Sequence, residues 1–419
     1  HVKDRVSYEG VVVSDPDVRD ANQRVEIRVS RAGESTTMLA VAPRYPSVAV
    51  GDKVWVSGTL AIPEAFADDN GRVFRYDKYL QRDGVRFMLN FAYLRVESHA
   101  PWYSVSAALA RAKHLFLDGI ATTLPEPHAS LAGGVVIGGK SGLGNELKDA
   151  FTRSGLVQII VLSGYNVMVI AEWIMAFFAF FNVSRRKSSI AGAIALVIFV
   201  GIAGFSATAI RAAVMALIAL YARATGRSYV AGRALLFVVL LMLIWNPLYL
   251  VFDPGFGLSV VATAGLIWLA PIIETLLSFI KNKFWNNASA TTLAAQIAVL
   301  PLLLYDTGNL SIVSIPANLV TMPMVPLAMG FSALAGFAGM IFNSFAPLLG
   351  IVLAFPAYLA NAYLLLIANE SAALPLAAFT LPPFPFWLTL AAYAWLIYFA
   401  ASKRSSTAFQ LRFAKKASI

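Results

Sequence analysis

Long apolar stretches fill the last two-thirds of this 419-residue chain and restrict the folds open to it. A helix that spans a membrane needs about 20 mostly apolar residues, because the hydrocarbon core is about 30 Å thick. Stretches of roughly this kind cover residues 155–182, 188–204, 206–223, 229–246, 257–281, 289–304, 312–341, 346–368 and 383–402. The sequence therefore predicts a polytopic α-helical membrane protein with about nine spans.

The first hundred residues follow a different pattern, in which apolar and polar side chains alternate. In RVEIRVS, the residues Val25, Ile27 and Val29 face one way, as in a half-buried strand. Similar segments, separated by turn residues, are VSYEGVVVS, TTMLAVA, DKVWVSGTL and RFMLNFAYLRV. Five short strands predict a small β-barrel of the OB type. Such a barrel either binds nucleic acid or is purely architectural, since a fold does not assign a function.

The periodicity divides the chain into four parts. Residues 1–100 form the OB-like β domain. Residues 101–125, where Trp102, Val105 and Leu109 recur at helical spacing, are predicted as an amphipathic helix on the membrane surface. A linker helix packed on the barrel is the alternative. Residues 126–402 form the transmembrane domain, and residues 403–419 form a basic tail.

Charge is distributed unevenly along the chain. Residues 1–100 hold 14 Lys and Arg against 14 Asp and Glu, so the formal net charge of +10 lies in the membrane part. Its basic residues fall in alternate connections and in the tail, at Arg185, Arg186, Lys187, Arg223, Arg227, Arg233, Lys281, Lys283, Lys403, Arg404, Arg412, Lys415 and Lys416. The other connections hold Asp253, Asp306 and Glu370 instead. The positive-inside rule then predicts a cytoplasmic C-terminus and an extracytoplasmic β domain.

Metal and cofactor chemistry is not predicted. The chain has no cysteine and four scattered histidines, which do not form a conventional zinc cluster. No cofactor is therefore expected. The chain begins with His1 rather than Met, and we expect that a further N-terminal segment precedes it in the whole protein.

The segment GVVIGGKS, residues 134–141, matches the Walker A pattern. Its flanks do not suit a phosphate-binding loop, which needs a buried strand before it and a helix directly after it. Nucleotide binding is therefore not predicted. Lys140, followed by Lys148 and Arg153, instead predicts a basic extracytoplasmic vestibule, because like charges at a pore mouth attract polyanions. A loop that contacts lipid headgroups is the alternative.

Polar residues interrupt several of the apolar stretches. Ser163, Gly164 and Asn166 interrupt SGLVQIIVLSGYNVMVIA, and Arg211 lies inside another predicted span. Further polar residues are Gln296 and Asn318, the latter close to three prolines, Pro316, Pro323 and Pro326. A break in hydrogen bonding at membrane depth is tolerated where backbone is buried in protein or lines water. These residues predict discontinuous helices along a transport path, with packing of small residues as the alternative.

Four segments, in order, resemble blocks of the ComEC family of competence proteins. They are AFTRSGLVQIIVLSGYNVMVIA, GFSATAIRAAVMALI, DPGFGLSVVATAGLIWLAP and QIAVLPLLLYDTGNLSIVSIPANLVTMP. The resemblance implies an inner-membrane channel that passes single-stranded DNA into the cytoplasm during natural transformation. It also implies a DNA receptor outside the membrane and a helicase-like translocase inside it. The proposed DNA path comprises Lys140, Lys148, Arg153, Ser163, Gly164, Asn166, Arg211, Gln296 and Asn318.

Two departures from the family pattern affect this expectation. Asn166 stands where the family commonly has His, so a role that depends on imidazole is in doubt while a hydrogen-bonding role survives. The chain holds no His-x-His-x-Asp-His element of the kind found in the family's metallo-β-lactamase-like nuclease domain. Degradation of the second strand is therefore not assigned to this chain, and a separate nuclease is left open.

Two other classes of function remain as alternatives. A secondary transporter, or an exporter of a small or lipid-linked substrate, would use the same broken helices. An intramembrane enzyme would use Ser163 as its nucleophile, but no membrane-embedded His or Lys is evidently placed to activate it. The chain is therefore predicted not to be an enzyme.

Overall fold

The computed structural model describes residues 5–19, 21–31, 33–68, 71–138, 142–161 and 163–417, with side chains up to Lys403 apart from that of Arg31. The N-terminal elements are β1 (Arg5–Val12), β2 (Asp17–Val18), β3 (Asn22–Arg31), β4 (Glu34–Pro43), β5 (Lys53–Ala61), β6 (Phe66–Ala67), β7 (Val73–Phe74), α1 (Tyr76–Arg82) and β8 (Val85–Ser98).

Five of these strands close into a barrel. They pair in the order β1, β5, β8, β4 and β3, and β3 pairs back to β1. The pair β4 and β8 is parallel, and the other four pairs are antiparallel. Val25, Ile27 and Val29 point into its core, as their alternation predicts. All five predicted strands are present, so the prediction of a small N-terminal barrel is confirmed.

Helices make up most of the remaining chain. They are α2 (Val105–Thr123), α3 (His128–Val136), α4 (Asn145–Arg153), α5 (Val157–Ile160), α6 (Gly164–Phe180), α7 (Arg185–Ile202), α8 (Ala207–Thr225), α9 (Ala231–Trp245), α10 (Leu248–Phe252), α11 (Pro254–Trp268), α12 (Ala270–Leu276), α13 (Lys283–Asp306), α14 (Ser314–Thr321), α15 (Met324–Phe342), α16 (Pro347–Ala373) and α17 (Phe386–Ala417). A two-stranded ribbon of β9 (Asn309–Ser311) and β10 (Ala378–Thr380) joins two of the connections.

The helices confirm the class of protein and the broken character of some spans. Four described helices, α8, α13, α15 and α16, are long and apolar enough to cross a membrane, and the bent pair α11 and α12 adds a fifth. This pair bends by 48°. The predicted stretch 312–341 divides into α14 and α15 near its prolines, as expected for a discontinuous span. Each predicted stretch contains a helix or a broken pair, and the total of nine crossings stays a prediction.

Helix α2 is packed tightly on α15. A Cβ atom on Gly339 would overlap the backbone of Gly119, so the two helices meet with no side chain between them. Phe116 and Ile120 of α2 are buried beside this crossing, while Trp102 and Leu115 are exposed. The predicted helix is present, but Trp102 lies before it and Val105, at its first residue, is exposed, so the buried face comprises only the later part of the predicted apolar stripe. Its buried face lies against a membrane helix, and its position relative to the membrane surface stays a prediction.

Among the described residues, polar contacts at Arg82, Arg72 and Asp15 attach the barrel to the helices, and the Arg82 carbonyl also accepts from Asn246 Nδ2 at 2.8 Å. Arg82 forms an ion pair with Asp253 at 2.8 Å, between Nη1 and Oδ2. The guanidinium of Arg72 donates to the carbonyl oxygens of Leu304, Tyr305 and Pro382 at 3.2–3.3 Å. Asp15 accepts from Lys113 at 2.7 Å and contacts His114 at 2.8 Å, which ties the barrel to α2. These contacts form what we call the junction.

Candidate functional site

A break in the backbone separates α5 from α6. Val161 and Ser163 are extended, and α6 begins at Gly164. Ser163 is the N-cap residue, and its Oγ accepts a hydrogen bond from the backbone N–H of Asn166. The sequence predicts a non-helical break over residues 163–166. The structure corrects this, because the cap allows Gly164, Tyr165 and Asn166 to form the first helical turn, and the break lies just before them.

Asn166 connects this break to the end of α3. Its side chain is 1% exposed, and its Nδ2 donates to the carbonyl oxygen of Val135 at 3.0 Å. Val135 is in the last turn of α3, where carbonyl groups lack a partner within the helix. The Oδ1 of Asn166 accepts from Ser163 Oγ at 2.9 Å. The amide therefore joins the end of one short helix to the start of the next.

Gly164 lies directly against Arg211. A Cβ atom at Gly164 would be 3.2 Å from Arg211 Nη2 and 3.5 Å from the Cβ of Ala212. A larger side chain would have to displace the guanidinium, so glycine permits this close approach. The first turn of α6 and the first turns of α8 thus meet at Arg211.

Arg211 is a buried cation with neutral partners. It is 2% exposed. Its Nη1 donates to the Ser259 carbonyl at 3.0 Å and to Thr263 Oγ1 at 2.6 Å, and its Nη2 donates to Ser259 Oγ. Its Nε has no hydrogen-bond partner. Among the described residues, no carboxylate forms an ion pair with it. A basic side chain at the centre of a membrane helix costs about 3 kcal/mol on insertion scales, so this placement requires an explanation.

Asn318 fixes the opposite end of α5. It is fully buried, and its Nδ2 donates to the carbonyl oxygens of Gly155 at 3.2 Å and Ser314 at 2.7 Å. Its Oδ1 accepts from Gln158 Nε2. The short helix α5 is therefore held at one end by an amide from α14 and followed at the other by the capped break.

The comparisons with known proteins identify the family. A family model described as "Competence protein" matches residues 135–405, which is more than half of the chain. The chain belongs to the competence protein family. ComE operon protein 3 of Bacillus subtilis (strain 168) is 24% identical over 310 residues, which are 74% of this chain and 38% of that protein. The chain thus spans well under half of this relative. No solved structure matches.

The competence family match includes every residue of the cluster described above. It begins at Val135, whose carbonyl accepts from Asn166, and continues past Asn318. The barrel lies before it. The resemblance inferred from the sequence blocks is confirmed, and the cluster around α5 and α6 lies in the part of the chain that defines the family.

Other predicted path residues lie elsewhere on this competence protein. Lys148 is half-buried and Arg153 is exposed, both on α4, which also carries Glu146 and Asp149. Helix α4, the described part of the predicted basic vestibule, therefore carries equal numbers of acidic and basic residues. Gln296 is half-buried on α13 and shares no hydrogen bond with the described cluster. Lys140 lies outside the described residues.

The partners of Arg211 and Asn318 are not among the residues predicted from the sequence. Ser259 and Thr263 are four residues apart on α11, so they occupy one helix face. That spacing was a usable signal in GLSVVATAG. Gln158, in the apolar run before the break, was another. No group of three or more His, Cys, Asp and Glu side chains in the described ranges is placed to hold a metal ion.

Proposed function

We propose that this chain forms the path through which single-stranded DNA crosses the inner membrane into the cytoplasm during natural transformation. Membership of the competence protein family supports a role in DNA uptake. The broken helices support a path, because backbone breaks at membrane depth occur where protein or water replaces lipid.

The proposal depends mainly on the environment of Arg211. A buried guanidinium with neutral partners, beside a helix break, suits a site that meets a negatively charged substrate. Phosphates are the uniform negative groups of a DNA strand, and their attraction to Arg is independent of base sequence. The alternative is a transporter of a small or lipid-linked substrate. In that case Arg211 would bind a single anionic group of the substrate rather than the phosphates of a polymer.

The position of the barrel supports an orientation with the β domain outside. Asp15 attaches the barrel to α2. Arg82 contacts Asn246 and Asp253. Arg72 contacts the chain next to Asp306 and at Pro382. The connections in which Asn246, Asp253, Asp306 and Pro382 lie hold no Lys or Arg, whereas the alternate connections hold the basic residues. The positive-inside rule then places the barrel face outside and the C-terminal tail in the cytoplasm.

This orientation assigns a location to each of the four parts of the chain. Residues 1–100 would form an extracytoplasmic domain, 101–125 a surface helix in contact with lipid, 126–402 the transmembrane channel domain and 403–419 a cytoplasmic tail. Lys148 and Arg153 would lie near the entrance, since α4 contacts β9 through Arg153 and Ser311. Lys140, which is outside the described residues, stays part of the proposed path. Gln296 would line a later part of the path, and Asn318 would position α5.

Partners are proposed from the family alone. A DNA receptor would act outside the membrane, a helicase-like translocase inside it, and a separate nuclease would degrade the other strand. The chain itself is proposed to be a channel component without catalysis. The Ser163 hydroxyl is hydrogen-bonded to Asn166, an amide that does not act as a general base.

A glycine comparison tests the path. Gly164→Leu would push against Arg211, and Gly192→Leu, the control, would meet the flexible side chain of Met175. Uptake of labelled DNA is measured per folded molecule in a competent bacterium that lacks its own copy. We expect Gly164→Leu to block uptake and Gly192→Leu to lower stability only. Equal uptake per folded molecule for both variants would contradict the path. Asn166→His should be tolerated, because imidazole can also donate to Val135.

The absence of native cysteine allows a direct test of orientation. Ser106→Cys, on exposed α2, and Ser406→Cys, in the tail, are labelled separately with an impermeant reagent on intact cells. We expect labelling at residue 106 and none at 406. The reverse pattern would overturn the proposed orientation.

A further inference from the structure

The surroundings of Arg211 contain excess positive charge. The guanidinium lies against Gly164, the first residue of α6. The N-terminal end of a helix carries a partial positive charge, because its first N–H groups lack partners within the helix. Two positive centres are therefore adjacent in a buried setting. Ser163 compensates weakly, since it accepts from Asn166 N at 3.4 Å.

The hydrogen bonds of Arg211 do not neutralise this charge. Its acceptors are one carbonyl and two hydroxyl oxygens on α11, from Ser259 and Thr263, all uncharged. Its Nε is buried and has no partner. A planar guanidinium binds a phosphate through paired N–H groups more strongly than it binds neutral oxygens. An anion that reaches this point would compete successfully with the hydroxyl partners.

The same bonds hold one half of a bent helix pair against α8. Helix α11 continues into α12 through a 48° bend. Its N-cap residue, Asp253, is fixed to the barrel through Arg82. Ser259 and Thr263 are fixed to α8 through Arg211. Polar contacts thus hold the first half of α11 at two points, through Asp253 and through Ser259 and Thr263. An anion bound to Arg211 would break the second contact.

We infer that Arg211 and the first turn of α6 form a binding site for one phosphodiester group, and that its binding releases α11 from α8. The identity of the anion as part of a DNA strand rests on the proposed function. The guanidinium exchanges its bonds to Ser259 and Thr263 for bonds to the phosphate, with backbone N–H groups of α6 beside it. Arrival of the strand therefore loosens the bent pair that adjoins the path.

Binding to the purified full chain tests the site. Fluorescence anisotropy compares a labelled oligothymidylate with a matched oligomer whose backbone is uncharged methylphosphonate. We expect the charged oligomer alone to bind. Arg211→Gln should weaken binding about ten- to a hundredfold and reduce the slope of log affinity against log salt by about 0.7, the value for one phosphate contact on a single strand. Arg227→Gln is the control, because Arg227 is exposed in the basic connection after α8, on the proposed cytoplasmic side. It should change neither the affinity nor the salt dependence.

Release of α11 has its own measurement. Spin labels at Tyr221→Cys on α8 and Leu266→Cys on α11, both exposed sites, report the distance between the helices. We expect the charged oligomer to shift this distance in the otherwise native chain, and to cause no further shift when Arg211→Gln is added. An unchanged distance in the native background, or an equal response with Arg211→Gln, would overturn the release step.

Inorganic phosphate separates this inference from the proposed function. Thermal stabilisation by phosphate that disappears in Arg211→Gln, without binding of the oligomer, would support the anion site and contradict DNA as the substrate. DNA uptake and binding that are unaffected by Arg211→Gln would support DNA as the substrate and contradict the site. Absence of both phosphate and oligomer binding would contradict both.

Discussion

Two buried arginines contact opposite ends of helices, one a C-terminal end and the other an N-terminal end. Arg72, at the junction, is 9% exposed and donates to the carbonyl oxygens of Leu304 and Tyr305 in the last turn of α13. Arg211, inside the helical domain, is 2% exposed and lies against the first residue of α6. Each has one nitrogen without a partner. The C-terminal end of a helix stabilises a cation and the N-terminal end does not. Arg72 is therefore stabilised by the fold itself, whereas Arg211 is suited to a ligand.

Arg82 shows a third arrangement, with carboxylate partners. It pairs with Asp253 at 2.8 Å and with Asp83 at 2.5 Å. Burial opposes its charge, but the hydrogen bond and charge of Asp83, together with the charge of Asp253, raise the pKa of Arg82. The junction thus satisfies its charges locally, and substitutions there should affect stability more than transport.

The largest effect is expected for Arg82→Gln. It leaves the buried carboxylate of Asp253 without its cation, and breaking a buried pair in this way costs about 3 kcal/mol. The free energy of unfolding in detergent measures this cost. Adding Asp253→Asn should recover part of it, because no unpaired charge remains and the amide can still cap α11. A double variant as unstable as the sum of the two single variants would contradict the pairing.

A smaller loss is expected for Arg72→Met. Three carbonyl oxygens lose their charged donor, and such a change costs about 2 kcal/mol. Limited proteolysis after β8 should become faster, because the barrel loses one of its described attachments. Arg28→Met, an exposed position on β3, is the matched control and should stay within about 0.5 kcal/mol of the native chain. Equal rates of proteolysis for Arg72→Met and Arg28→Met would show that Arg72 does not hold the barrel.

The sequence predicts the elements of both regions better than their partners. The five strands, the broken spans and the intramembrane position of Arg211 follow from periodicity and composition. The cap at Ser163 was not predicted, although Ser is a favoured residue immediately before a helix and offered that signal. The acceptors on α11 are about 50 residues from Arg211, and no local pattern specifies that pairing. Similarly, Arg72 and Arg82 look like ordinary surface charges until the barrel is placed on α13 and α11.

Arg211→Gln should have little effect on stability, in contrast to Arg82→Gln. Arg211→Gln removes the cost of burying a charge, and this gain offsets the three hydrogen bonds that Arg211 donates to α11. We expect a change of less than about 1 kcal/mol in the free energy of unfolding, with DNA uptake reduced. A loss as large as that of Arg82→Gln would show that Arg211 is a structural bond between α8 and α11 and would remove the difference between the two regions.

The smallest effect is expected at the third contact of the junction, where Asp15 meets Lys113 and His114. The hydrogen bond that His114 donates to Asp15 raises the pKa of His114 above 6.5, so the contribution of His114 to stability is complete below pH 6.5 and is lost as the pH rises through the folded value. Burial raises the pKa of Asp15, but His114 and Lys113 outweigh it and lower the pKa below 3.8. The contribution of Asp15 is therefore complete above 3.8 and is lost as the pH falls through its folded value. The contact should be strongest between these limits.

His114→Gln isolates this contact, because the amide keeps a hydrogen bond to Asp15 without the titrating charge. The difference in melting temperature between the native chain and His114→Gln should be largest between pH 3.8 and 6.5 and should decline as the pH rises through the raised pKa of His114. Its size should correspond to less than about 1 kcal/mol, since the imidazole is more than half exposed and an exposed pair is screened by solvent. A difference that stays constant across this range would show that His114 contributes through packing rather than charge. Of the two described partners of Asp15, Lys113 would then be the one that holds it by charge.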